Sequence, residues 1–437
     1  MYPRQPLRTT VESAGVSGQL DLFAPGGQRT TPTADAFVQA LRAFSWRGKS
    51  TSVTSYRCAT TDIEIPVFTN EFWTSDQRAA HSLHEISYRA CFKPQLPRFF
   101  VLQLSEPGDR IFDPFAGRGT TLLEAALNQR SPAGCDINPL SRALVMPRLD
   151  PPTLTEVQRR LTEISLSWTA ALPEDLLTFY HPATLRQICA LRAYLIERDA
   201  TGAIDAVDEW IRMVALNRLT GHSPGFLSVY TLPPNQAVSV KAQRKINADR
   251  GQTPPERDLS TTILKKTKAL LADVDQATRE NLRRARPEVR FHVGSSTGEF
   301  WEPDSVQLVV TSPPFLDVVD YADDNWLRCW FCGIEADEVP ISLHSNLDAW
   351  QRFVSSAFRQ FIRLLRPGGF IAFEVGEVRG GRIRLEESVI PAGMAAGACP
   401  VAIVLNEQVF TKTANIWGVA NNSKGTNTNR IVVFGKN

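Results

Sequence analysis

The chain has 437 residues, 43% of them hydrophobic, with 48 Lys and Arg against 46 Asp and Glu for a formal net charge of +2. That is enough chain for two or three folding units with a large core, and the near-neutral charge excludes a global field that would pull the whole molecule onto nucleic acid, so any such surface must be a local patch. No stretch approaches the ~18 apolar residues of a membrane span, MYPRQPLRTTVESAGVSG lacks a signal-peptide core, and seven scattered cysteines suit reduced thiols in the cytoplasm.

Residues 1–35 are rich in Gly, Pro, Ser and Thr and read as a disordered tail. One apolar island interrupts it, Gln19-Leu20-Asp21-Leu22-Phe23. ADAFVQALRAF then has helical spacing, while the segment from Trp46 to about Trp73 is mixed and supports no assignment. From residue 110 the pattern is α/β: RIFDPF is a buried strand entering a Gly-rich turn, TTLLEAALNQ an amphipathic helix, and SPAGCDIN a second strand ending in an acid. The alternation then breaks. Residues 154–213 are mostly helical in period, a loop-rich stretch follows to Asn235, and a basic stretch continues to about Lys268.

Strands resume at VRFHVG, VQLVVTSPP, FIAFEVGEV, CPVAIVLNEQVF and NRIVVFGK, with the helix WQRFVSSAFRQFIRLL closing on Pro367-Gly368-Gly369. The expected fold is α/β, a seven-stranded doubly wound Rossmann-like sheet with a helical, loop-rich insertion. The last two strands lack a connecting helix and should form an antiparallel pair at one edge. The expected division is residues 36–150 and 286–437 as two parts of one catalytic domain, with 151–285 inserted between them. Cys329 and Cys332 lie in the apolar run NWLRCWFCG without a second ligand pair, which favours core packing over a metal site.

Two motifs carry the chemistry. In Asp113-Pro114-Phe115-Ala116-Gly117-Arg118-Gly119-Thr120-Thr121 a strand ends on an acid, two glycines allow a tight turn, and a helix N-terminus follows. The absence of a Gly-Lys-Ser/Thr ending disfavours a phosphate loop. The next strand ends at Asp136-Ile137-Asn138, where an acid is placed to accept both hydroxyls of a ribose. The second motif, Thr311-Ser312-Pro313-Pro314-Phe315, ends a strand in a rigid turn with outward carbonyls. An exocyclic amine is a poor nucleophile because its lone pair is conjugated into the ring. The Ser312 hydroxyl and the Pro313 carbonyl could draw it towards tetrahedral geometry, with Phe315 stacking on the base.

Together these motifs resemble the amino-methyltransferase family of DNA modification enzymes, whose first motif holds S-adenosylmethionine and whose second usually reads Ser-Pro-Pro-Tyr in cytosine-N4 enzymes and Asp/Asn-Pro-Pro-Tyr/Phe in adenine-N6 enzymes. Ser312 favours cytosine, and Phe315 departs from the usual Tyr while keeping a stacking face. The resemblance covers roughly residues 80–150 and 285–437. It places Phe92 and Lys93 at the methionine end of the cofactor, with Asp113, Phe115, Gly117, Gly119, Thr120, Thr121, Asp136 and Ile137 around it. Gly294-Ser295-Ser296 stands where many relatives carry an Asp facing adenine, so Ser295 is the expected contact there. Transfer would proceed by base flipping and direct attack, without metal or covalent intermediate.

In this family the insertion between the motifs usually reads the target. Lys241, Arg244 and Lys245 belong to its basic stretch and are expected on double-stranded DNA, with His222, Asn427 and Asn429 as further contacts. The rivals are an adenine-N6 DNA methyltransferase, an RNA guanine-N2 methyltransferase, which typically carries Asp in the second motif, and an inactive DNA-binding relative. Gln19-Leu20-Asp21-Leu22-Phe23 resembles the peptide by which bacterial replication and repair proteins dock on the sliding clamp, which would imply a bacterial, nucleoid-associated enzyme. A role in restriction-modification is the expected setting.

Overall fold

The structure is a computed structural model that describes residues 32–73, 80–88, 91–231, 237–314, 321–339, 346–375, 377–378, 383–407 and 428–437. Gln19–Phe23, Phe315 and Asn427 lie outside the described residues.

The main sheet contains β1 (Ser52–Arg57), β2 (Glu64–Asn70), β3 (Arg110–Asp113), β4 (Ser131–Asp136), β5 (Arg290–Val293), β6 (Val306–Thr311), β7 (Leu365–Val375), β8 (Cys399–Glu407) and β9 (Thr428–Gly435). Its order is β1-β2-β8-β9-β7-β6-β3-β4-β5. The five strands β5-β4-β3-β6-β7 are parallel, and β9 turns antiparallel between β7 and β8. The central strands are covered on both faces, which is why β6 (VQLVVT) is buried at every position and reads as a continuous run.

The covering helices are α1 (Ala34–Ala43), α2 (Gln95–Leu104), α3 (Thr120–Leu127), α4 (Pro139–Val145), α5 (Leu154–Glu163), α6 (Pro182–Ala200), α7 (Ala206–Leu216), α8 (Val240–Arg250), α9 (Leu259–Leu270), α10 (Gln276–Ala285), α11 (Tyr321–Cys332), α12 (Leu347–Leu364) and α13 (Glu386–Ala395). Alternation along β9 shows how one strand feeds two cores. Ile431 and Val433 join Phe37, Leu41 and Phe100 of α1 and α2, whereas Val432 and Phe434 join Phe358, Phe361 and Val389 of α12 and α13. Helices α5 to α10 fall between β4 and β5 and share a third core with α3, α4 and α11, built around Trp210, Ile211 and Val214 of α7. Cys329 is buried in this core. Among the described residues, no helix is long and apolar enough to cross a membrane.

The doubly wound α/β fold is present, with a correction at one edge. The sheet has nine strands rather than seven, and the β8–β9 pair, although antiparallel, is not an edge. The far side of β8 pairs with β2 in parallel, and β1 closes the sheet as a hairpin partner of β2. These two strands come from the segment that the sequence left unassigned. β1 is exposed at nearly every position, so no apolar alternation marks it, and Pro66 interrupts the pattern of β2. Buried Asn406 seals this end, accepting from Trp73 N and donating to Trp73 O, both at 3.1 Å.

Candidate active site

The first motif is assembled by paired strands. β3 and β6 lie side by side in parallel register, so the ends of both motif strands meet at one edge of the sheet. Asp113 is buried, and its Oδ1 accepts from Thr311 Oγ1 at 2.7 Å and from Phe115 N at 3.1 Å. One carboxylate therefore ties the Gly-rich turn to β6. Burial pushes its pKa up to about 6, against the opposing pull of those hydrogen bonds.

The turn itself needs glycine at two positions. Gly117 and Gly119 have φ of +50° and +72°, and a Cβ on Gly119 would stand 2.4 Å from Val145 Cγ2 of α4. Gly117 N donates to Asp136 Oδ2 at 2.7 Å and Asn138 N to Asp136 Oδ1 at 2.9 Å, which holds the acid of β4 against the turn. Burial raises Asp136 to about 6 as well. Thr121 Oγ1 donates to Val310 O at 3.2 Å and locks α3 onto β6.

A strap of chain, residues 81–88 and 91–94, crosses this turn, and Arg118 fastens it. The Arg118 Nη1 group reaches Ile86 O at 3.0 Å and His84 O at 3.4 Å, while Nη2 reaches Phe92 O at 3.5 Å. Tyr88, Cys91 and Phe92 of the strap face the cavity below. Arg118→Met should leave these carbonyls without their donor and loosen the strap by about 1–3 kcal/mol. Hydrogen exchange at the amides of residues 84–88 should accelerate accordingly, and unchanged protection would show that the strap is held by packing alone.

The second motif is pinned from two sides. Trp350, fully buried on α12, donates its indole Nε1 to Pro314 O at 2.9 Å. The Glu374 carboxylate on β7 accepts from Asn429 Nδ2 at 2.7 Å, and the Ser312 hydroxyl lies close to it. Burial raises the Glu374 pKa, and these two neighbours offset part of that rise.

One cavity joins the two motifs. It encloses about 950 Å³, open solvent at its mouth included, and its wall includes Phe92, Asp113, Phe115, Gly117, Thr120, Asp136, Ile137, Ser295, Ser312 and Pro314 from the sequence expectation. Lys93, Gly119, Thr121 and Pro313 are not on its wall; Gly119 and Thr121 act from behind, through the turn and α3. Residues not anticipated also line it, notably Tyr88, Asn138, Ser296 and Phe353, whose ring lies 5.6 Å from that of Phe115. Glu374 had a signal in the sequence, as the acid within the apolar run FIAFEV, since a buried carboxylate requires a partner. Trp350 had none.

The expected DNA contacts are elsewhere. Lys241, Arg244 and Lys245 project from α8 into solvent, with Arg244 2.8 Å from Asp175. His222 lies in the Gly221–Tyr230 loop with its ring 6.2 Å from that of Phe226. Asn429 is not on a basic surface: it is half-buried on β9, with its amide committed to Glu374.

A DNA methylase family model (N6_N4_Mtase) matches residues 57–143, which include the strap and the whole first motif. No curated protein matches the chain. Among solved structures, TrmN from Thermus thermophilus aligns over 82% of this chain and 52% of its own at 12% identity, with a TM-score of 0.31. A TehB-like SAM-dependent methyltransferase from Corynebacterium glutamicum aligns over 78% and 87% at 9% identity and a TM-score of 0.28. A putative DNA modification methylase from Thermus thermophilus, TTHA0409, solved with S-adenosyl-L-methionine, aligns over 31% and 49% at 21% identity and a TM-score of 0.20. The chain spans about half the length of TrmN and of TTHA0409. At these identities and scores, the fold assignment rests on the strand order itself.

Proposed function

We propose that the chain is an S-adenosylmethionine-dependent DNA methyltransferase that modifies an exocyclic amine, with N4 of cytosine as the favoured target. The observation that carries this reading is the cavity whose wall includes both Gly117 and Asp136 of the first motif and Ser312 and Pro314 of the second. The match of a DNA methylase model to residues 57–143 supports the same reading.

The residues present suit the cofactor. Each Asp136 oxygen uses one lone pair on a backbone N–H, which leaves acceptor capacity for two ribose hydroxyls. Ile137 and Phe353 offer apolar surface for a base, and Asp113 on the same wall offers a carboxylate for an amino group. When bound, S-adenosylmethionine supplies an electrophilic methyl group on a sulfonium.

The chain's own part is orientation and acceptance. Ser312 Oγ accepts a hydrogen bond from the target amine, so positive charge developing on nitrogen is met by an acceptor that lies beside the Glu374 carboxylate. Trp350 holds Pro314, and with it the turn, at a set height above the cavity. Phe315 is assigned to stacking on the flipped base, and α8 with the Gly221–Tyr230 loop to the DNA backbone and groove. At that loop, Arg218 stacks on Phe226 at 4.0 Å and Arg250 on Tyr230 at 3.9 Å, which presents cations on fixed aromatic supports.

Sequencing modified bases in DNA from cells expressing the chain tests the reading directly. N4-methylcytosine at a defined site is expected, absent in Ser312→Ala, whose purified form should lose about 1–3 kcal/mol of transition-state stabilisation. N6-methyladenine instead would keep the mechanism and change the base. Unmodified DNA with full cofactor binding would overturn it.

A further inference from the structure

Arg218 and Lys266 are two cations that the fold partly withdraws from solvent, with the exposed carboxylate of Glu85 beside Lys266. Arg218 follows the C-terminus of α7. Its guanidinium lies over Phe226 at 4.0 Å, and its Nε donates to Asn217 O at 2.7 Å. Neither Nη atom has a hydrogen-bond partner among the described residues. Lys266 on α9 has a side chain only 11% exposed, and its one ion pair among the described residues is Glu85 at 3.6 Å, beyond hydrogen-bond reach.

The place is specific. Asn217, the residue before Arg218, accepts from Ser87 N at 2.6 Å, and Glu85 and Ser87 belong to the strap whose next residue, Tyr88, lines the cofactor cavity. The Arg218 carbonyl accepts from Leu227 N at 2.8 Å, so the same residue is braced against the Gly221–Tyr230 loop. Burial lowers the pKa of Lys266 to about 8, and the nearby charge of Arg218 pushes in the same direction. Burial alone lowers Arg218 to about 10. With the exposed carboxylate of Glu85 beside Lys266, two partly desolvated positive charges keep a net positive charge that a further anion would offset.

We propose that Arg218 and Lys266 form a phosphate clamp at the rim of the cavity, and that its occupant is a backbone phosphate of the DNA strand whose base enters the site. The proposal rests on the DNA methyltransferase reading and adds to it a specific anion subsite. Arg218 supplies a planar pair of N–H donors already oriented by Phe226, and Lys266 supplies a point charge beside it. A phosphodiester is the required chemistry because the site faces the strap and the loop rather than a closed pocket, so the anion arrives as part of an extended chain. Unlike the solvent-facing charges of α8, these two hold one phosphate at a set distance from the cavity.

The test uses the full-length protein and a duplex of about 25 base pairs, with affinity followed by fluorescence anisotropy across salt concentrations. Arg218→Met and Lys266→Met should each weaken binding about tenfold and reduce the slope of log K against log salt by about 0.9. Affinity for S-adenosylmethionine should stay at its wild-type value, and the melting temperature should not fall. Arg218→Lys keeps the charge and should retain the slope, and Arg159→Met, on the exposed face of α5, should change neither quantity. An unchanged slope in both Met variants overturns the clamp, as does loss of inorganic phosphate binding with DNA affinity intact, which would mark a site for a free phosphate. Tighter binding of single-stranded RNA than of duplex DNA, lost in the same variants, would overturn the choice of occupant. If wild-type protein binds cofactor but no DNA, the functional reading itself fails, an outcome distinct from failure of the clamp.

Discussion

Gly119→Ala should abolish S-adenosylmethionine binding and lower stability by about 2–5 kcal/mol. Two costs add. The residue sits at φ +72°, where an L side chain costs about 1–2 kcal/mol. Its Cβ would also stand 2.4 Å from Val145 Cγ2, and relieving such a clash in a packed site costs about 1–3 kcal/mol. Relief can come only by moving α4 or the turn, and the turn carries Gly117 N, the donor that holds Asp136. Gly117→Ala provides the contrast. Its φ is +50°, but its Cβ would meet Tyr88 at 3.6 Å, an ordinary contact, so only the backbone cost of about 1 kcal/mol or slightly more applies. Urea unfolding and calorimetric titration of both variants separate the two contributions. Val145→Ala combined with Gly119→Ala should recover part of the stability. Equal losses in the two single variants, with no recovery in the double, would show that the contact with Val145 is not limiting.

The strand–turn–helix logic of the catalytic half was legible because it is local. An apolar run, an acid and two glycines specify a strand end and a turn, and the structure has that turn at Asp113–Thr121. The hairpin of β1 and β2 was not legible for the complementary reason. An edge strand buries little, so SVTSYR carries no period, and β2 is tied into the sheet through its parallel pairing with β8, more than three hundred residues away in sequence.

The site divides in the same way. Residues named from their own motif, such as Asp136 and Ser312, do line the shared cavity. Residues that act by reaching in from another element were not legible. Arg118 occupies the variable place between two glycines, and nothing in the sequence says that it will hold carbonyls of a strap some thirty residues earlier. Trp350 and Asn429 belong to elements whose contact with the catalytic loop exists only after the sheet has formed. Reading Asn429 as a DNA contact came from its polar, Asn-rich surroundings. The fold instead commits its amide to the half-buried carboxylate of Glu374 at 2.7 Å.

Cofactor affinity should fall about a hundredfold as pH drops from 7 to 5. In the free protein, burial raises both Asp113 and Asp136 to about 6, so each is largely protonated at pH 5 and largely ionised at pH 7. For folding, the sign is that of a raised carboxyl. Its stabilising contribution is present below the unfolded pKa near 3.9 and is lost as pH rises through about 6. For binding, the sign reverses. Ribose hydroxyls donating to Asp136, and an amino group near Asp113, favour the ionised forms and draw both pKa values down. Binding at pH 5 must therefore first remove two protons, each weakening the observed affinity roughly tenfold relative to pH 7. Calorimetry in two buffers of different ionisation enthalpy should register release of up to two protons at pH 5 and almost none at pH 7.5. Asp136→Asn should bind more weakly at pH 7 and lose about one decade of the pH dependence, because one titrating group remains. A dissociation constant that stays flat between pH 5 and 7 would mean that neither carboxylate faces the cofactor, and it would move the ribose and the amino group away from Asp136 and Asp113.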